Sequence, residues 1–334
     1  MHNLRRRLVA GLVFGFLVVL ALVLIGDLRA VAAHLAEFRW ALLPAVLGLT
    51  LVNYTLRFFK WHYFLGRIGV RNLPLRESAR LFVAGFPLAV TPGKVGEALK
   101  GPWVNLKTGV PTARAVTVVL AERISDGLAV LALSTFGVIA YPAYWPVFAA
   151  VLGALLLGVA LSQVRPLALA LLDLAARLPL LQRAAPHLRA FYEGTYALFR
   201  PGALLAAVSL GTVAWFAEGV GFYLVLLGLG VPGGEQAFSL AVFILAFSTV
   251  VGAVSALPGG LGASEASIAG MLTLLMALPG DIAATATLLI RFATLWFGVS
   301  LGLMVWTFSA DLLALRADGA PATPEAAPTA DGSG

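Results

Sequence analysis

The chain has 334 residues, 60% hydrophobic and only 12% charged, with 23 Lys and Arg against 16 Asp and Glu and a formal net charge of +7. A soluble domain carries about 25% charged residues, so half that density excludes an ordinary globular enzyme, and the high hydrophobicity excludes disorder. The absence of cysteine excludes a disulfide framework, thiolate metal sites and a cysteine nucleophile; a basic excess in so apolar a chain points to loops beside anionic lipid, not to nucleic acid.

The first element is residues 8–26, without one charge and preceded by Arg5, Arg6 and Arg7. At 1.5 Å per residue it covers a hydrocarbon core of about 30 Å. It lacks a small-x-small cleavage site, so a retained anchor is expected rather than a signal peptide. A second apolar run covers 40–65 through Arg57 and Lys60, two cations expected to snorkel to the interface. Next comes a hairpin with arms at about 77–90 and 95–106, too short to cross, whose tip holds Pro92, Gly93 and Gly96. A long helical pattern at 113–141 is broken by Pro142 and Pro146, and 145–164 is the next span. Residues 163–200 read as an interfacial amphipathic helix interrupted at Pro179 and Pro186. A span at 202–229, a paired segment at 236–278 and a last span at 282–310 follow. The tail, 317–334, is Ala/Pro/Gly/Asp-rich and is expected to be disordered.

Loop charges orient this layout. With the N-terminus inside, 15 basic residues fall on inside segments and two, Arg29 and Arg39, outside. The positive-inside rule then puts both termini in the cytoplasm.

The spacing hides a repeat. Thr91-Pro-Gly-Lys-Val-Gly-Glu97 and Leu257-Pro-Gly-Gly-Leu-Gly-Ala-Ser-Glu265 share a proline–glycine turn, a further glycine and then a glutamate. The second tip is Pro258, Gly259, Gly260 and Gly262. Arg123 follows Pro92 by 31 positions and Arg291 follows Pro258 by 33. The expected fold is therefore all-α and polytopic: one transmembrane domain over 1–312, in halves of about 8–141 and 145–310. Each half has three spans and a Pro-Gly-tipped hairpin. An odd number of crossings inverts the second half, an arrangement associated with transporters. The second hairpin's arms are long enough either to re-enter or to cross.

A charge at a helix centre costs about 2.5–3.5 kcal/mol on insertion scales, so each needs a reason. Glu122, Arg123 and Asp126 lie mid-helix, Arg291 is equally deep, and Glu97 and Glu265 follow the tips. Two uses stand side by side: arginines that neutralise glutamates and tie helix to hairpin, or a polar cavity for a lipid headgroup, whose phosphate a guanidinium pairs bidentately. Protonatable Glu97, Glu122 or Glu265 could couple movement to protons. Secondary candidates are Arg57, Lys94, Lys100 and Glu218, the last with no local partner. His2, His34, His62 and His187 are scattered, so no metal or other cofactor is expected. No HExxH, P-loop, GxSxG or paired DxxD motif marks an enzyme.

These motifs resemble the flippase-like family that includes the membrane half of lysylphosphatidylglycerol synthase. The matching segments are TPGKVGEALK at 91–100, AERISD at 121–126, PGGLGASEASIAG at 258–270 and LLIRFATLWFG at 288–298, and the resemblance covers about 5–312. It implies an inner-membrane protein with re-entrant hairpins that moves a lipid with a modified headgroup between leaflets. It also implies that Glu97, Glu122, Arg123, Asp126, Glu265 and Arg291 line or brace a central cavity. Synthases of this family continue into a soluble aminoacyl-transfer domain; the sequence stops at Gly334, so lipid aminoacylation is not expected. The expected partner is an anionic phospholipid or a polyprenyl-linked substrate, with no nucleic acid. An accessory protein for a lipid-modifying enzyme and a membrane-embedded transferase acting on a lipid-linked sugar are the alternatives.

Overall fold

The computed structural model describes residues 9–11, 13–15, 17–18, 27–140, 145–177 and 182–313. Within them the side chains at 92–95, 136–140, 147, 175, 310 and 313 are not described. The described secondary structure is helical throughout. Most of the expected first span and the whole tail at 317–334 lie outside the described residues, as does the side chain of Lys94.

The first helices are α1 (Leu28–Glu37), α2 (Leu43–Arg67) and α3 (Leu75–Ala84). Two 3-10 segments, Phe86–Val90 and Pro92–Leu99, lead into α4 (Lys100–Thr108) and the long α5 (Thr112–Ala140). Then come α6 (Trp145–Gln163), α7 (Arg165–Arg177), α8 (Ala185–Leu198), α9 (Pro201–Gly228) and α10 (Glu235–Val254). A 3-10 turn, Pro258–Gly260, joins α10 to α11 (Ala263–Met276). The chain ends in α12 (Gly280–Arg291), a π turn at Phe292–Trp296, α13 (Phe297–Thr307) and α14 (Ala310–Leu313).

Four helices among the described residues are long and apolar enough to cross a membrane: Trp40–Arg67, Pro201–Gly228, Glu235–Val254 and Gly280–Thr307. The pair Phe148–Gln163 and Arg165–Leu174, bent by 75°, makes a fifth if it is one broken span. Helix α5 has 29 residues, about 43 Å at 1.5 Å per residue, but Glu122, Arg123 and Asp126 sit at its middle.

The loop at 163–200 forms two helices. Pro186 lies in the first turn of α8, where a proline forfeits no intrahelical bond, so it starts that helix instead of interrupting one. Pro179 lies outside the described residues. Helix α8 packs on α5 so closely that a Cβ on Gly194 would sit 2.5 Å from Thr117 Oγ1. Among the described residues, helix α7 leaves Leu167, Leu171 and Leu174 exposed, an apolar face at helical spacing.

Among the described residues a small apolar core surrounds Val90 and Val299, and the two main ones lie toward opposite ends of the helices they share. One gathers Val46 of α2, Val130 and Leu131 of α5, and Phe222, Val225 and Leu226 of α9 around α10–α12. The other gathers Trp61, Phe64 and Leu65 of α2, Val118 and Ala121 of α5, and Ala207 of α9 around the first hairpin. Three helices therefore run from one core to the other, and Arg57 and Lys60 of α2, Glu122, Arg123 and Asp126 of α5, and Glu218 of α9 fall on the stretch between.

Candidate functional site

Between the cores lies a polar layer. Helix α2 brings Tyr54, Arg57 and Lys60, α5 brings Glu122, Arg123 and Asp126, and α9 brings Trp215 and Glu218. Glu97 and Lys100 enter from the first hairpin, Glu265 from the second, and Arg291 from α12. A cavity of about 450 Å³ opens in this layer, lined by Arg57, Glu97, Lys100, Arg123, Asp126, Glu218 and Arg291 among polar groups. Tyr54 and Trp215 form part of its aromatic wall, and Val151, Leu155, Val250 and Val254 part of its apolar one. The volume is within the roughly 300–1,000 Å³ typical of small-molecule sites.

Ion pairs knit the elements. Asp126 is the centre: Lys60 Nζ donates to Oδ1, while Arg57 Nη2 and Arg123 Nη2 each lie 3.5 Å from Oδ2. Arg123 Nε is also 3.4 Å from Glu97 Oε2, joining α5 to the first hairpin. Lys100 Nζ reaches Glu122 Oε2 at 3.1 Å and lies over the rings of Trp61 and Phe82. Its stem crosses Gly85, where a Cβ would come within 2.2 Å of Lys100 Cε. On the opposite wall, Arg291 Nε donates to Glu265 Oε1 at 2.6 Å and Nη2 to Gly259 O at 3.0 Å. Glu265 Oε2 accepts from Gly262 N at 2.7 Å, capping α11.

The hairpin tips follow from local sequence. At the first, Thr91 Oγ1 donates to Leu88 O and accepts from Gly96 N, closing the turn over Pro92. At the second, Gly259, Gly260 and Gly262 all adopt positive φ, which costs a residue with a Cβ about 1–2 kcal/mol. The arms behind that tip touch through Gly252 and Ser264. The 3-10 segment Pro92–Leu99 packs against Pro258–Gly260, so the two tips meet inside the protein. The described part of the first span backs this junction: a Cβ on Gly11 would lie 2.1 Å from Val90 O. The π turn at Phe292–Trp296 begins directly after Arg291 and brings Thr294 O within reach of the Tyr54 hydroxyl, which donates to it. Such π bulges cluster at functional sites.

Ion pairs that tie helix to hairpin and a polar cavity occur together in this layer. Glu97, Arg123, Asp126 and Arg291 line the cavity, while Glu122 and Glu265 stand behind it and hold Lys100 and Arg291. Arg57 and Lys60 do not snorkel. Lys60 is 0% exposed and Arg57 lines the cavity, because Asp126 on α5 takes both. Lys100 is likewise buried and paired. Tyr54 and Trp215 are not among the candidates the sequence offers, and Lys60 is there only as a snorkelling cation. Their partners come from other helices.

The family model for the lysylphosphatidylglycerol synthase TM region matches residues 8–302. The chain belongs to this family. It is also similar to a UPF0104 membrane protein of Methanothermobacter thermautotrophicus, 33% identical over 111 residues. That alignment spans about a third of either chain: 33% of this one and 31% of the relative. Membership makes this a multi-pass membrane protein, and the polar layer is the interior of its lysylphosphatidylglycerol synthase-type membrane domain.

Proposed function

We propose that the protein moves a lipid with a phosphate-bearing headgroup, an anionic phospholipid or a polyprenyl-linked substrate, between the leaflets of the cytoplasmic membrane. The observation that carries this reading is the placement of a charged cavity at the junction of two hairpin tips, between two apolar ends. A headgroup crossing a bilayer needs a polar station at mid-depth. The cavity is too small for a whole lipid, so the tails run outside it. Val254 and Leu257, exposed beside the second tip, and Leu155 on α6 give an apolar exit.

In this reading the chain is two inverted halves with re-entrant hairpins and cytoplasmic termini. Four of the five carboxylates in the layer are committed to cations, which favours transport over catalysis. The test is transbilayer movement of fluorescent phosphatidylglycerol in proteoliposomes, with native mass spectrometry of co-purifying lipid. Movement faster than in protein-free vesicles is expected. Movement at the protein-free rate, with no lipid retained, refutes the reading.

A further inference from the structure

Among the described residues the layer holds five cations, Arg57, Lys60, Lys100, Arg123 and Arg291, and five acids, Glu97, Glu122, Asp126, Glu218 and Glu265. Four acids have cations: Glu97 faces Arg123, Glu122 faces Lys100, Glu265 faces Arg291, and Asp126 takes three. Glu218 is different. It is 5% exposed, lines the cavity from α9, and makes no hydrogen bond or ion pair within the described residues. A lone carboxylate in this position is among the costliest groups a membrane helix can carry.

Among the described residues, its surroundings offer one movable cation. Tyr54 and Arg57 share the cavity wall from α2, Arg123 and Asp126 from α5, and Arg291 from α12. Glu97 and Lys100 come from the first hairpin, while α10 contributes Leu245, Thr249 and Val250. Arg291 is fixed by Glu265 and Gly259 O. Arg57 is held loosely: 3.5 Å from Asp126, with its Nε buried and unbonded, and its guanidinium 5.5 Å from the centre of the Trp215 ring. Trp215 and Glu218 are three residues apart on α9 and so share a face. Asp126 keeps Lys60 and Arg123 if Arg57 leaves.

We propose that Glu218 is a proton carrier that sets the charge of the cavity, with Arg57 moving between Asp126 and Glu218. Protonated Glu218 leaves Arg57 on Asp126 and the layer with five cations against four anions. That single positive charge accepts one headgroup phosphate. When the O–H bond breaks and the proton returns to water in the cavity, the carboxylate draws Arg57 across, cancels the charge and releases the phosphate. One phosphate charge is then taken up with one proton. This rests on the lipid-transport reading above, and its test separates the two.

Purified protein in weakly buffered detergent is titrated with phosphatidylglycerol while a pH indicator follows protons and native mass spectrometry counts bound lipid. Wild type is expected to take up one proton per lipid bound near neutral pH. Glu218→Gln is expected to bind lipid with no proton uptake and with an affinity that no longer falls as pH rises. Lipid binding with the same proton uptake in both proteins overturns the inference and leaves the transport reading intact. If neither binds lipid, the transport reading fails for this lipid. The inference is then decided by pH-difference infrared spectroscopy: a protonated-carboxyl band present in wild type and lost in Glu218→Gln supports it, and the same band in both overturns it.

Discussion

Replacing Asp126 with asparagine removes the acid that Lys60, Arg57 and Arg123 share. Lys60 suffers most, because it is 0% exposed and Asp126 is its one ion-pair partner among the described residues. Two outcomes bound the cost. A buried charge left without its partner costs roughly 3–5 kcal/mol. Alternatively Lys60 loses its proton: bringing a group of ordinary pKa about 10.4 to neutrality at pH 7, at about 1.36 kcal/mol per unit, costs about 4.6 kcal/mol. Deprotonation therefore sets a ceiling, and a loss of about 3–4 kcal/mol is expected. That is far above the average of about 0.6 kcal/mol measured for interhelical hydrogen bonds in a membrane protein. Reversible unfolding in mixed micelles measures it, with Lys60→Met/Asp126→Asn as companion. The double variant removes one charge of each sign and is expected within about 1 kcal/mol of wild type, since apolar replacements of buried pairs are often neutral. A double variant as unstable as Asp126→Asn alone, or a single variant within 1 kcal/mol of wild type, refutes the pairing.

Gly260→Ala is expected to cost about 2–4 kcal/mol, from its φ of +67° and a Cβ 2.9 Å from Ser264 Oγ; Gly48→Ala, with open space around it, should be neutral in the same unfolding assay. Asp311 on α14 accepts from Arg80 Nη1 and Nη2 and lies 2.8 Å from Lys107 Nζ, and the Arg80 hydrogen bonds hold its carboxyl well below the ordinary range. A depressed carboxyl stabilises above its unfolded pKa and loses that effect as pH falls, so wild type should exceed Asp311→Asn by about 1 kcal/mol at pH 7. In pH-dependent melting the gap should begin to narrow below about pH 4 and go on narrowing as the pH falls further. Arg291→Ala should lose more stability than Arg123→Ala, because Arg291 braces a hairpin at 2.6 and 3.0 Å and Arg123 meets its acids at 3.4 and 3.5 Å; equal melting temperatures would refute the difference.

Much of the element layout was legible because membrane helices announce themselves by length and apolarity. Span 202–229 is α9 shifted by one residue, and 282–310 is the helix Gly280–Thr307. The tips were legible because Pro-Gly turns and positive-φ glycines are local demands. The site was half legible. Depth along a helix marked Arg123, Asp126 and Arg291 as too costly to be accidental. It misplaced Arg57 and Lys60, whose positions near one end of a span look like snorkelling until Asp126, 66 residues from Lys60, is brought beside them. Pairing between helices is set by rotation and packing, which periodicity does not encode. The π turn after Arg291 was invisible for a similar reason: no proline marks it, and the segment Phe292–Trp296 packs against α2, a contact between distant parts of the chain.

The two walls of the cavity are braced unequally, and this bears on how the layer works. On the wall of the second hairpin, Arg291 makes two short hydrogen bonds and Glu265 spends its other oxygen on Gly262 N. These bonds fix the Arg291 guanidinium in place on two of its nitrogens. On the wall formed by α2 and α5, Arg57 and Arg123 meet Asp126 only at 3.5 Å, and both leave a buried Nε without a hydrogen bond. The Arg123 side chain remains 28% exposed, against 15% for Arg291. Long, imperfect pairs keep a guanidinium charged in place without saturating its planar fork, which is the state from which it can take a phosphate bidentately. A layer built only to neutralise charge would pair all its cations as tightly as Arg291. A layer built only to bind would leave the second tip unbraced. The division between a fixed wall and an unsaturated one fits the proposed transport, in which the cavity would keep its shape while its contents change.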